Sequence, residues 1–175
     1  MKLTLIALAL PLMIGSAVAN AQVKDQGHGT VTFTGSIIDS PCSISPDTVD
    51  QTISLGEVSN KTLENGGRSA AHPFNIKLEG CDTTTANTVS TTFTGAESST
   101  QAGHLGITGS AKGAAIVLTD GSGADITLGQ PTAAQKIQDG SNTLLFSAYM
   151  EGDSGSSTIT PGDFQGVADF TLAYQ

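Results

Sequence analysis

The sequence predicts an all-β protein, a two-layer antiparallel sandwich made by one domain. Three observations point there. Apolar and polar residues alternate with period two in several short runs; those runs are separated by turn-forming residues, with 21 Gly in the chain; and no apolar stripe of period 3.6 persists long enough for a substantial helix.

Val31, Phe33, Gly35 and Ile37 alternate with polar residues, as do Phe74, Ile76 and Leu78, and again Val89, Thr91 and Phe93. Such runs suit half-buried strands. Further strands are expected at 115–119, 126–128 and 144–150, bounded by Asp120-Gly121 and Asp139-Gly140, which favour tight turns. Short helical turns fit 59–63 and 132–135. The stretch 98–114 breaks the rhythm, and its Gly103-His104-Leu105-Gly106 centre reads as a surface excursion. Strands at short spacing with no interleaved helices favour a sandwich of the immunoglobulin type.

The first 21 residues read as an export signal. Lys2 precedes an apolar stretch interrupted by Pro11, and small residues follow at Ala17, Ala19 and Ala21. Ala19-Asn20-Ala21 fits the cleavage rule, making Gln22 the expected mature start, with a cut after Ala19 as the alternative. A membrane anchor fits less well, because the run is short and contains proline.

Cleavage would leave 154 of 175 residues, and loss of Lys2 would take the count to 6 Lys+Arg against 16 Asp+Glu, a formal charge of −10. That surface repels phosphates and excludes nucleic acid as a partner. Cys42 and Cys81 are the only cysteines. In an oxidising compartment one disulfide is the default, and closing a loop of that length is worth roughly 4 kcal/mol in the chain-entropy account. Zinc needs a larger set of clustered ligands, and no metal or other cofactor is expected.

The two ends carry the functional reading. Phe164, Gly166, Ala168, Phe170, Leu172 and Tyr174 occupy every second position after the Pro161-Gly162 turn, which predicts one long C-terminal strand. A sandwich of this type adds one more strand beside it, and none follows, so the domain is expected to be incomplete by its last strand. An apolar groove and an unpaired backbone edge would result. At the other end, the alternating Val31-to-Ile37 segment is a strand with no evident sheet. Strand addition to another copy would satisfy both edges, and burying Val31, Phe33 and Ile37 would contribute on the order of 5 to 9 kcal/mol before ordering costs.

The run from Gly29 through Cys42 to Ile44, GTVTFTGSIIDSPCSI, resembles the start of a chaperone-usher fimbrial subunit, especially the major pilins of P and mannose-resistant fimbriae. Gly162, fourteenth from the C-terminus, and the penultimate Tyr174 match that family's C-terminal motif. The resemblance implies a shaft subunit of a bacterial surface fimbria supporting adhesion, completed by donor-strand complementation. Its domains would be a signal peptide at 1–21, a donor extension at 22–37 and a pilin domain at 38–175. It implies three partners: a periplasmic chaperone, an outer-membrane usher and further copies joined head to tail. The donor residues would be Gly29, Val31, Phe33, Gly35 and Ile37, with Gly35 where a close approach is needed. The acceptor groove and C-terminal motif would comprise Gly162, Phe164, Ala168, Phe170, Leu172 and Tyr174. A minor adaptor subunit is the alternative within the family.

Enzymatic readings are weak. Ser69-Ala70-Ala71-His72 and Gly152-Asp153-Ser154-Gly155 imitate fragments of a chymotrypsin-type protease, but Ser156 replaces the expected following Gly, and no oxyanion hole or carboxylate is specified. His28, His72 and His104 have no ligand-like spacing. Asn60-Lys61-Thr62 matches a glycosylation acceptor that carries no weight in a bacterial export product. A stand-alone secreted sugar-binding module would want exposed aromatics, yet there is no Trp and there are only 2 Tyr. No small-molecule substrate is expected.

Overall fold

The computed structural model describes residues 27–155 and 158–175; the predicted signal peptide lies outside them. The chain divides into two units, Met1–Ile37 and Ile38–Gln175.

In the first unit, the described residues 27–37 belong to no helix or strand. Val31, Phe33 and Ile37 are 75, 89 and 104 % exposed. The strand predicted from their alternation is therefore not formed as part of a sheet, because alternation supplies two faces but no partner for the backbone.

The second unit carries β1 (Ser43–Ile44), β2 (His72–Cys81), β3 (Thr88–Gly95), β4 (Thr108–Gly109), β5 (Ala114–Asp120), β6 (Asp125–Ile126), β7 (Gln135–Lys136), β8 (Gly140–Gly152), β9 (Phe164–Gln165) and β10 (Ala168–Tyr174). One sheet has the order β1-β2-β8-β5-β6, a second β10-β3-β7, and β4 pairs with β9; every ladder is antiparallel. The all-β sandwich expected from the residues is thus present.

Local sequence explains the elements. In β2, Ile76 and Leu78 are buried while Lys77 and Glu79 are exposed or partly so, the pattern of a sheet with one covered face. Phe74, Phe93 and Phe146 join the two sheets, with ring centroids 5.1 to 6.2 Å apart. β5, between β8 and β6, is buried from Ala115 to Thr119. Along β8, Arg68 lies 5.2 Å above the Tyr149 ring and pairs with Glu151 at 2.6 Å, and the Tyr149 hydroxyl donates to Asp125 of β6 at 3.0 Å. Cys42 and Cys81 form the expected disulfide, both buried, tying the residue before β1 to the end of β2.

The turn after β5 is held by Asp120, whose Oδ1 accepts from the Ser122 and Ala124 amides and the Ser122 hydroxyl. Its carboxyl is held below the usual range, first by the Ser122 hydroxyl. Helix α1 (Asn60–Leu63) starts where a turn was expected, with the Ser59 hydroxyl accepting from Lys61 N. The second expected helical turn, at 132–135, does not form. Thr132 instead bonds along the edge of β3 through its amide to Thr91 O and its hydroxyl from Thr91 N, and Gln135 begins β7. An available sheet edge outcompetes a one-turn helix.

The 98–114 stretch also departs from expectation. Leu105 is 4 % exposed and exchanges backbone hydrogen bonds of 2.9 and 2.8 Å with Ile116. The buried Asp153 holds this segment by accepting from the Thr100 hydroxyl at 2.7 Å and Gln101 Nε2 at 2.8 Å. It is a core rung fastened by a carboxylate. Leu105 and Ile107 are two apolar positions among Gly and polar residues, too few to give a period to read.

Candidate functional site: an apolar groove beside the C-terminal strand

The C-terminal alternation is real but not continuous. β9 pairs with β4 and β10 pairs with β3, with Gly166 and Val167 between them. At Gly166 the chain presses onto the core: an added Cβ would lie 2.6 Å from Ile116 Cδ1 and 3.1 Å from Leu105 Cδ2. Switching partner strands at that contact divides the expected single strand in two.

From Phe164 to Tyr174 the even-numbered residues are half-buried and the odd-numbered ones exposed. Phe164, Ala168, Phe170, Leu172 and Tyr174 all pack against the core. Their burial is only partial because β10 uses one backbone edge for β3 and is the outermost strand of its sheet.

Facing this strand across the groove is residues 49–58. They belong to no strand, and among the described residues they pair with no neighbouring strand. The Gln51 amide fixes the segment's start by donating to Thr48 O and Asn75 O, each at 2.9 Å. Between the two edges runs a groove of about 1060 Å³, continuing into a deeper compartment of about 180 Å³. Gln51, Ile53, Leu55, Ile116, Gly166 and Ala168 line both parts. Leu63, Ile107, Met150 and Ile159 extend the floor at one end; Phe74, Phe93 and Phe170 do so in the deeper part.

Two flanking backbones with unused hydrogen-bonding groups and an apolar floor suit one kind of occupant, an extended peptide with an apolar side chain at every second position.

Gly162 holds one end of this wall. The Ser110 and Ala111 amides both donate to Asp163 O, at 3.0 and 3.1 Å, and a Cβ on Gly162 would collide with the Ser110 hydroxyl and the Ala111 amide. At the other end, the Tyr174 hydroxyl is buried and makes no hydrogen bond by distance and angle among the described residues, though the Ser40 hydroxyl lies close enough to act on its ionisation. Burial outweighs Ser40, and the phenol is pushed above its ordinary pKa.

Of the predicted site residues, the structure brings Phe164, Ala168, Phe170, Leu172 and Tyr174 to one face and Gly162 to the adjoining turn. Gly29 and Gly35 meet nothing within 4 Å at the Cβ position, and Val31, Phe33 and Ile37 are exposed. Sequence reasoning missed the opposite wall. Ile53 and Leu55 alternate with polar residues there, a two-membered signal too brief to weigh, and floor residues such as Leu63 and Ile159 carry no pattern of their own.

The protease-like fragments hold residues with other partners. Asp153 is committed to Thr100 and Gln101, and His72 sits within β2 opposite Ala148. Among the described residues no cluster of His, Cys, Asp or Glu could hold a metal ion.

The known proteins that this chain is similar to are fimbrial. The fimbrial protein family matches residues 31–175. The Fimbria A protein of Serratia marcescens is 56 % identical and the major MR/P fimbria protein of Proteus mirabilis 52 % identical, each over 100 % of both chains. Among solved structures, the P pilus rod subunit PapA is 34 % identical with a TM-score of 0.70, covering 78 % of this chain and 100 % of that one. A subunit from a chaperone-usher pilus structure is 34 % identical with a TM-score of 0.78, covering 89 % and 100 %. With groove, disulfide and sandwich in place and the match running through the whole second unit, the chain belongs to the fimbrial protein family.

Proposed function

We propose that the protein is a structural shaft subunit of a bacterial surface fimbria, polymerising by donor-strand exchange and supporting cell adhesion. One observation carries the reading: an apolar groove between two unpaired backbone edges and an exposed, alternating segment occur in the same chain. Each is the complement of the other.

In this reading Gly29, Val31, Phe33, Gly35 and Ile37 of one copy face the groove of the next. Their backbone adds a strand between β10 and residues 49–58, while Val31, Phe33 and Ile37 replace water over the floor. Gly35 is assigned to a position of close approach, where a side chain would hold the backbones apart. Every copy both donates and accepts, so the contact is heterologous and generates an open filament rather than a closed ring. Before assembly, a periplasmic chaperone covers the groove, and an outer-membrane usher directs the exchange on the way to the cell surface. The full-length relatives at 52 and 56 % identity include one named as a major fimbrial protein, which favours the shaft over a minor adaptor. Such a subunit needs no catalytic centre.

Deleting residues 22–34 tests the assignment. Chaperone binding should persist while growth of the polymer stops; normal fibres from the deletion variant would overturn the donor role.

A further inference from the structure

Three Asx-Gly pairs occur in the sequence: Asn65-Gly66, Asp120-Gly121 and Asp139-Gly140. A glycine following Asn or Asp leaves its amide nitrogen unobstructed for attack on the preceding side-chain carbonyl. The three pairs differ in how firmly that carbonyl is held. Asp120 accepts three hydrogen bonds and Asp139 accepts two from Thr83. Asn65 is exposed, and its side-chain amide makes no hydrogen bond among the described residues. The other described asparagines precede Lys61, Ile76, Thr88 and Thr143, whose side chains crowd the attack.

Backbone geometry adds to the contrast. Asn65 has φ +57°, the one non-glycine with positive φ among the described residues, and Gly66 follows at +77°. The two form the left-handed exit from α1, a local conformation that confers no helical hydrogen-bond protection on the asparagine side chain.

We infer that Asn65 is a site of spontaneous deamidation in the folded protein. The Gly66 nitrogen attacks Asn65 Cγ; the new N–Cγ bond forms as Cγ–Nδ2 breaks, the Gly66 amide proton passes to solvent base, and the leaving nitrogen departs as ammonia. Water then opens the cyclic imide at either carbonyl, giving aspartate or isoaspartate at position 65. No electron transfer is involved, and one negative charge is added. Isoaspartate also inserts a methylene into the main chain. Gly67 and Gly152, either side of this connection, already sit too close to Thr62 O and Leu63 O to admit a Cβ. A longer turn therefore disturbs Leu63, which is buried and lines the groove.

Incubation of the folded full chain in mildly alkaline buffer, followed by trypsin and mass spectrometry, tests this. Cleavage after Lys61 and Arg68 isolates residues 62–68, with Asn65 as their sole asparagine. The expected result is an exchange of NH for O in that peptide with an isoaspartate product, at a rate within about tenfold of the urea-denatured chain, because local opening costs little in an exposed turn. Peptides holding Asn75, Asn87 and Asn142 should lag far behind. An unchanged 62–68 peptide, or one protected as strongly as Asn75, would overturn the inference. Asn65→Gln should abolish the signal, and if that variant misfolds, the native and denatured time courses of the unaltered chain decide the question alone.

Discussion

Phe170 stands directly opposite Phe93 in the β10–β3 ladder, and their rings lie 6.3 Å apart in a tilted arrangement. Phe93 in turn meets Phe146 edge-on at 5.1 Å. The groove's wall is thereby bonded to the same aromatic cluster that joins the two sheets, so the acceptor surface and the core are one packing unit.

Truncating that link should be felt throughout the domain. Phe170→Ala is expected to lower stability by about 2 kcal/mol, less than for a wholly enclosed phenylalanine because one side of the ring is open. Asp169→Ala, one residue away and exposed, should change it by less than about 0.5 kcal/mol. Urea unfolding midpoints compare the two.

Asp153 should behave as a fastener. Asp153→Ala removes the acceptor for Thr100 and Gln101, leaving the Gln101 amide only its bond to Glu151 O, a loss of about 1 to 3 kcal/mol. Hydrogen exchange should speed up at residues 98–106, including the Leu105 amide beneath Gly166, well before it does in β2 or β8. Uniform acceleration across the domain would contradict a local fastening role.

Both tyrosines are held in the neutral form. Tyr149 is pushed up to about 12, first by burial and then by the hydrogen bond it donates to Asp125, with Arg68 opposing; burial raises Tyr174 as well. A pKa raised on folding contributes stability that is fully present below the unfolded value, about 10, and disappears as pH rises through the folded value. Because the chain has only 2 Tyr, ultraviolet titration of the native protein should show less tyrosinate near pH 10 than the unfolded chain does. Alkaline unfolding should then expose both together.

Much of this was legible in the sequence, and the legible parts share a cause. Period-two alternation revealed β2, β3 and the inward face of β10, because strands covered on one face must alternate. The cysteine pair followed from export chemistry. Features set by tertiary company were hidden. Nothing adjacent to Leu105 signals that Ile116 will pair with it, and the break at Gly166 is imposed by side chains arriving from β5 and the 98–114 stretch. Thr132 looked like a helical turn until the edge of β3 was there to bind it. Val31 to Ile37 alternate as a strand would, yet a pattern makes no sheet without a partner edge.

Cysteine cross-linking in intact cells tests the central claim most directly. Phe33→Cys is combined in turn with Ile53→Cys, Leu55→Cys or Ala168→Cys, and surface material is separated without reductant. Exchange between copies predicts a ladder of covalent oligomers for at least one pair and none for either single variant. Cross-linked chains found only as monomers would mean that the segment lies in its own groove, and would contradict the account.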